Sequence, residues 1–259
     1  MPCRIHINLQ ILLLFVVTLL FPVSQAQDTE ESDVREAIQK LTKRLELLEK
    51  DIVPRLTEIE KQVAIVFAEK KLEIDAKNAY TEINTLVAQA KFDDAKAKVA
   101  EFMKSYSTTK YARGVASFQK ELEVIGKESP KEWGVEKWFQ GADEIDLNGS
   151  PTTVLVFWEV WCPHCVREVP KLQKLYDKHK EKGLQLVGLT KLSKSATDEE
   201  LNDFINEKQV HYPIAKEDGS ISQYFNVSGI PAAAVVRNGQ VVWRGHPSRL
   251  SEDLLQSWL

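Results

Sequence analysis

An apolar run feeds straight into two cysteines at the mouth of a helix, and that block limits the folds open to this chain. Thr153-Val154-Leu155-Val156-Phe157-Trp158 is β-branched and aromatic, the pattern of a buried strand. Trp161-Cys162-Pro163-His164-Cys165 follows, and then the helix-compatible stretch Val166-Arg167-Glu168-Val169-Pro170-Lys171-Leu172. Two sulfurs three residues apart on a first helical turn can close a disulfide without moving the backbone. Cys162 falls where helix amides point outward and the dipole favours negative charge, so a thiolate is expected there, the form that attacks disulfides. Pro163 presets φ at the helix start and gives up an amide that the first turn does not need.

The rest of residues 131–259 alternates strand and helix signals, which predicts an α/β layer fold. Residues 184–189 read as a strand, and Thr197-Asp198-Glu199-Glu200 as a capping box opening a helix with Leu201, Phe204 and Ile205. His211-Tyr212-Pro213-Ile214 leads to a short helix near residues 221–225. Residues 232–236 and 241–243 around Asn238-Gly239 predict a hairpin with a two-residue turn. Ser251 opens a last helix that packs Leu254, Leu255 and Trp258.

The N-terminal half is helical. Val34, Ile38, Leu41, Leu45, Leu48 and Ile52 step by 4, 3, 4, 3 and 4 residues, the seam of a coiled coil. The seam resumes, displaced in register, at Leu56, Ile59, Val63 and Val66, and Pro54 between them is expected to bend or break the helix. Residues 27–70 therefore read as an oligomerisation helix, with an amphipathic helix lying on its own domain as the plainer alternative. Residues 71–130 stay helical, and Phe92-Asp93-Asp94-Ala95 resembles the turn of a tetratricopeptide-type hairpin; a plain connector fits the same residues. Lys127-Glu128-Ser129-Pro130 reads as a linker.

Arg4, the apolar run at residues 11–21 and the small residues of Ser24-Gln25-Ala26 predict a secretory signal over residues 1–26. A retained anchor is the alternative, but eleven apolar residues fall short of the ~20 that span a bilayer. Cys3 would leave with the signal, so the mature chain keeps only the two motif cysteines. A periplasmic or secreted protein would normally pair two cysteines for stability, yet so short a loop restrains the unfolded chain little. Reactivity explains the pair better. A net charge of -4 without a basic stripe gives no reason to expect nucleic acid. His179, His211 and His246 show no metal-ligand spacing, and no cofactor is expected. Asn148-Gly149-Ser150 and Asn226-Val227-Ser228 match glycosylation acceptors but read as turns.

Taken together, Phe157-Trp158-Glu159-Val160-Trp161-Cys162-Pro163-His164-Cys165, Arg167-Glu168-Val169-Pro170 and Gly229-Ile230-Pro231 resemble the extracytoplasmic thioredoxin-like proteins of the TlpA/ResA type. The resemblance spans residues 136–259. It implies a thioredoxin-like C-terminal domain behind an all-α, partly coiled-coil region. It makes Cys162 the nucleophile and Cys165 the resolving thiol. His164 makes the motif similar to that of DsbA-type oxidants, in which the imidazole stabilises the thiolate and favours the reduced enzyme; a solvent-facing loop histidine is the plainer reading. Pro231 is expected to be cis and to face the dithiol, with Ile230 offering backbone to an extended peptide and Trp161 a further substrate contact. Glu168 stands where the subgroup has a glutamate and is expected to accept or relay the Cys165 proton, unless it is an ordinary surface residue. Glu159 is expected either to be exposed, as charges usually are, or to be a second proton acceptor. Thioredoxins carry a buried acid where this chain has Val156, so Glu168 or Glu159 would have to substitute for it.

These residues predict an exported thiol–disulfide oxidoreductase that acts on protein thiols or disulfides, is recharged by a membrane or soluble redox partner, and works as a homo-oligomer. An oligomeric isomerase or reductase stands beside an oxidase. The reading from a different class is a helical interaction protein whose thioredoxin-like domain is a binding module.

Overall fold

The computed structural model describes residues 28–141 and 152–259. The signal segment, Cys3 and the Asn148-Gly149 turn lie outside the described residues. The chain divides into two compact units, one reaching to Ala68 and the other spanning Glu69–Leu259.

Helix α1 (Asp28–Ala88) is continuous through Pro54, so the break expected there does not occur. Proline deletes a single i→i−4 bond, and here that is one loss within a 61-residue helix. Arg55 reaches back across it to Asp51 at 3.3 Å. The seam residues from Val34 to Val66 stand 43–61% exposed. Among the described residues, no helix is long and apolar enough to cross a membrane.

In the second unit the end of α1 packs with α2 (Phe92–Ser105) and α3 (Ala112–Leu122). Ala76, Ile83, Val87, Ala95, Val99, Phe102, Val115 and Phe118 recur at helical spacing and fill the space between them. The stretch expected to be a linker is held to the sheet instead. Gly126 N donates to Val241 O at 2.8 Å, Val241 N to Lys127 O at 2.9 Å, and Ser129 N to Gly239 O at 2.7 Å.

The sheet has six strands in the order β1-β4-β3-β2-β5-β6. Strands β2 (Thr152–Phe157) and β3 (Leu184–Thr190) lie parallel at its centre. Strand β4 (Ile214–Glu217) runs parallel to β3, and β1 (Val135–Gln140) closes that edge antiparallel. On the other side β5 (Ala232–Arg237) pairs antiparallel with β2, and β6 (Gln240–Gly245) with β5. Asn238 and Gly239 link β5 to β6 with φ of +49° and +76°, as a type I′ turn requires.

Every residue of β2 is buried, and its side chains alternate between two cores. Val154 and Val156 meet α4 (Pro163–His179), α5 (Asp198–Glu207) and α7 (Glu252–Gln256) through Val169, Leu172, Leu201, Phe204 and Leu255. Leu155 and Phe157 meet Ile221 of α6 (Ser220–Tyr224), together with Phe225 and Val124. Covered on both faces, β2 could read only as an unbroken apolar run.

Candidate active site

The end of β2 delivers its chain to the N-terminus of α4, and Cys162 is the cap residue of that helix. Its φ and ψ of −87° and 111° are extended, and its Sγ accepts a hydrogen bond from the Cys165 amide at 3.4 Å. Cys162 N in turn donates to Glu159 O at 3.1 Å. Both cysteines are free thiols; Cys162 is 4% exposed and Cys165 is fully buried. The two sulfurs are therefore unequal in access. Burial pushes the Cys165 thiol well above its ordinary value, and its hydrogen bond to Cys162 adds to that, while the Glu159 amide opposes it.

The Ile230–Pro231 peptide is cis, and the Ile230 carbonyl lies 3.9 Å from Cys162 Sγ. The loop that carries it is clamped from beneath. Arg244 is buried; its Nε donates to Phe225 O at 2.8 Å, and its Nη1 to Gly245 O at 3.1 Å and Ala233 O at 3.4 Å. Phe225 and Ala233 bracket the cis-proline loop, so one guanidinium sets both of its ends. Burial brings Arg244 down to about 10, still charged at neutral pH. Sequence reasoning passed over this arginine because it sits in the apolar strand Val241-Val242-Trp243-Arg244, where nothing local marks its role.

Glu159 is buried, 4% exposed, against the expectation of exposure. Its carboxylate accepts from Thr190 Oγ1 at 3.1 Å, Lys191 N at 3.2 Å and Ser193 N at 3.2 and 3.3 Å. Those donors offset the cost of taking a carboxylate out of water. Val156 is buried and apolar, and the buried acid comes three residues later, where its charge raises the Cys165 thiol further.

The remaining expected residues spread around the cysteines. His164 is exposed, and its Nδ1 accepts from Arg167 Nη2 at 2.7 Å, since guanidinium can only donate. Glu168 lies one helical turn beyond Cys165, its side chain 13% exposed, and pairs with Lys171 at 2.8 Å. Trp161 is 37% exposed; its Nε1 donates to Ser193 Oγ at 3.2 Å, and Lys194 Nζ lies 3.5 Å from its ring centroid. His246 was not singled out as a site residue, yet burial holds it below its usual value against the opposing charge of Glu168. Trp158 is accommodated by Gly188 of β3, where any Cβ would come within 2.8 Å of its Nε1. Among the described residues, no group of three or more metal-ligating side chains comes together.

The AhpC/TSA family model matches residues 140–244. Across 125 residues the chain is 31% identical to the thiol-disulfide oxidoreductase ResA of Bacillus thuringiensis (strain Al Hakam), covering 48% of this chain and 70% of that protein. The chain belongs to the ResA-type thiol–disulfide oxidoreductases. It is also 24% identical over 123 residues to the sporulation thiol-disulfide oxidoreductase A of Bacillus subtilis (strain 168), covering 47% of this chain and 74% of that protein. The crystal structure of StoA from Bacillus subtilis aligns with a TM-score of 0.42 at 24% identity, over 50% of this chain and 98% of that one. Membership of that family makes the protein an enzyme of thiol–disulfide exchange with a thioredoxin-like domain. In this ResA-type domain the fold brings together a helix-capping thiol, a deeper thiol, a cis-proline carbonyl and a buried carboxylate.

Proposed function

We propose that the protein exchanges disulfides with protein substrates through Cys162 and Cys165 in an extracytoplasmic setting, and that its N-terminal helix gathers several dithiols around one substrate. The observation that carries the exchange is the pair of contacts at Cys162 Sγ, the Cys165 amide at 3.4 Å and the Ile230 carbonyl at 3.9 Å.

In the reductive direction the Cys162 thiolate attacks one sulfur of a substrate disulfide. The other substrate sulfur leaves as a thiolate, and a mixed disulfide remains. Cys165 then loses its proton and attacks Cys162 Sγ, which expels the second substrate thiolate. The enzyme ends as a disulfide and the substrate as a dithiol; oxidation runs the same steps backwards. Two of the influences that keep Cys165 protonated come from Cys162 itself, a hydrogen bond and a charge. Both vanish once Cys162 is bonded to substrate, so capture readies the thiol that ends it. Glu168, one turn along the same helix, receives that proton. His164 and Trp161 border the cysteines, and the Ile230 backbone aligns an extended peptide beside them.

The exposed seam from Val34 to Val66 supports assembly, because a two-in-seven apolar stripe buries itself best against another helix of the same kind. Grouped dithiols suit a disulfide isomerase or reductase, which must engage one substrate repeatedly. The signal-like residues 1–26 support export.

The test is turnover of a scrambled-disulfide protein and of an intact protein disulfide by purified full-length protein, beside Cys162→Ser. Activity on both substrates that Cys162→Ser abolishes is expected. Activity that survives the substitution would remove the dithiol from the reaction.

A further inference from the structure

A groove of about 710 Å³ runs from the cis-proline loop to the helical layer, and its far wall is not part of the thioredoxin-like domain. One side carries Ser228, Gly229, Ile230 and Pro231, so it is continuous with the carbonyl that faces Cys162. The other side is α3, which presents Arg113 and Lys120 seven residues apart and so on one helical face.

The charge of this groove runs against that of the chain. Its lining holds Arg113, Lys120, Arg244 and Arg249 against the single carboxylate of Glu121, in a protein of net charge -4. Glu121 is already taken by Arg249, which donates to both of its oxygens. Glu123, at the edge, accepts from Asn226 Nδ2 at 3.3 Å. Arg113 and Lys120 are exposed and have no carboxylate partner among the described residues. Arg244 spends three of its five donors on carbonyls, which leaves its charge uncancelled. The wall is also firmly placed. Asn226 Nδ2 donates to Lys120 O at 3.1 Å, and Arg249 stacks on Phe118 at 5.0 Å. Gly229 leaves open space where a side chain would stand, so an extended backbone can approach there.

We propose that this groove binds an acidic extended segment flanking the reacting cysteine of a protein substrate, with Arg113 and Lys120 of the helical layer selecting for Asp and Glu. The inference rests on the proposed exchange with protein substrates and names the class of substrate. A cationic, partly walled groove raises the local concentration of an acidic partner and speeds its encounter with the dithiol. The redox step is unchanged: the dithiol becomes a disulfide, and the peptide disulfide becomes two thiols.

The test uses pre-reduced full-length protein in single turnover with two self-quenched peptide disulfides of equal length, one flanked by Asp and Glu and the other by Lys. Each rate is divided by the same protein's rate with the neutral hydroxyethyl disulfide. The acidic peptide is expected to react about tenfold faster than the basic one at low salt, as electrostatic steering allows. That gap should close at about 0.5 M salt, where screening reaches a few ångströms. Arg113→Glu with Lys120→Glu should erase or invert the preference, and Arg113→Lys with Lys120→Arg should keep it. Equal rates for the two peptides, with hydroxyethyl disulfide still reduced, overturn the groove and leave the exchange chemistry standing. Failure to reduce any disulfide overturns both.

Discussion

Arg249 Nη2 donates to both carboxylate oxygens of Glu121, at 2.6 and 2.7 Å, and so fastens the turn after β6 to helix α3. Their side chains are only 29% and 13% exposed, so removing one partner strands the other in a poorly hydrated place. Arg249→Met should lower unfolding free energy by about 2 kcal/mol in urea titrations. Glu121→Gln combined with it should cost less than the sum of the two changes. Simple additivity would show that the pair holds nothing together.

Glu159 bridges the dithiol turn to the loop after β3. Glu159→Ala leaves Thr190 Oγ1 and the amides of Lys191 and Ser193 without an acceptor, a loss of roughly 3 kcal/mol at the usual cost per stranded donor. The substitution also removes a negative charge that raises the Cys165 thiol, so alkylation of Cys165 should begin at lower pH than in the wild type. An unchanged onset would disconnect this carboxylate from the thiol.

Cys165 itself should resist alkylation at neutral pH in the native reduced protein and yield to it only in alkaline solution, because burial favours the protonated thiol. Mass spectrometry of partly alkylated protein reads this directly. Cys165→Ser should accumulate a covalent mixed disulfide with substrate, seen on non-reducing gels and released by dithiothreitol. No trapped adduct would reverse the assigned order of attack.

His246 Nδ1 accepts the Ser248 amide at 3.2 Å, which only an unprotonated nitrogen can do. Burial lowers its folded value below 6.5, so the unfolded chain takes up the proton first on acidification. The stability it contributes is present above about 6.5 and is lost as pH falls toward the lowered folded value. His246→Gln should therefore flatten the fall in melting temperature between pH 7.5 and 5 (roughly the histidine range) relative to wild type. Parallel curves would show that another group governs this range.

The seam of α1 should set the assembly state. Leu41→Glu, Leu45→Glu and Leu48→Glu in the full-length chain place three carboxylates in the exposed apolar stripe proposed to carry the assembly. Light scattering should report a fall to monomer mass, while reduction of hydroxyethyl disulfide continues. An assembly that survives these changes would assign it to another surface.

Much of the architecture was legible in the residues because its signals are local. The capping box at Thr197 forms, with Glu200 N on Thr197 Oγ1 at 3.1 Å and Thr197 N on Glu200 Oε2 at 2.9 Å. Asn238-Gly239 turns the hairpin, and Cys162 caps α4. Strands β1 and β4 went unread for opposite reasons. In β1 the exposed Glu136 and Lys137 interrupt the apolar pattern at a sheet edge, and β4 is only four residues long. The Lys127 to Pro130 stretch looked like a linker because the groups that hold it to the sheet, Gly239 and Val241, lie over a hundred residues away in the chain.

By itself the sequence determined what depends on neighbours in the chain: a helix opening at Cys162, two thiols three residues apart, a buried central strand and an apolar seam along α1. Tertiary structure decided what depends on distant partners. It buried Glu159 by supplying donors from Thr190 to Ser193, placed Ile230 over Cys162, and turned Arg244 inward onto three carbonyls. Whether a charged side chain faces water or the interior depends on the donors and acceptors that fold around it, and those come from parts of the chain with no sequence proximity.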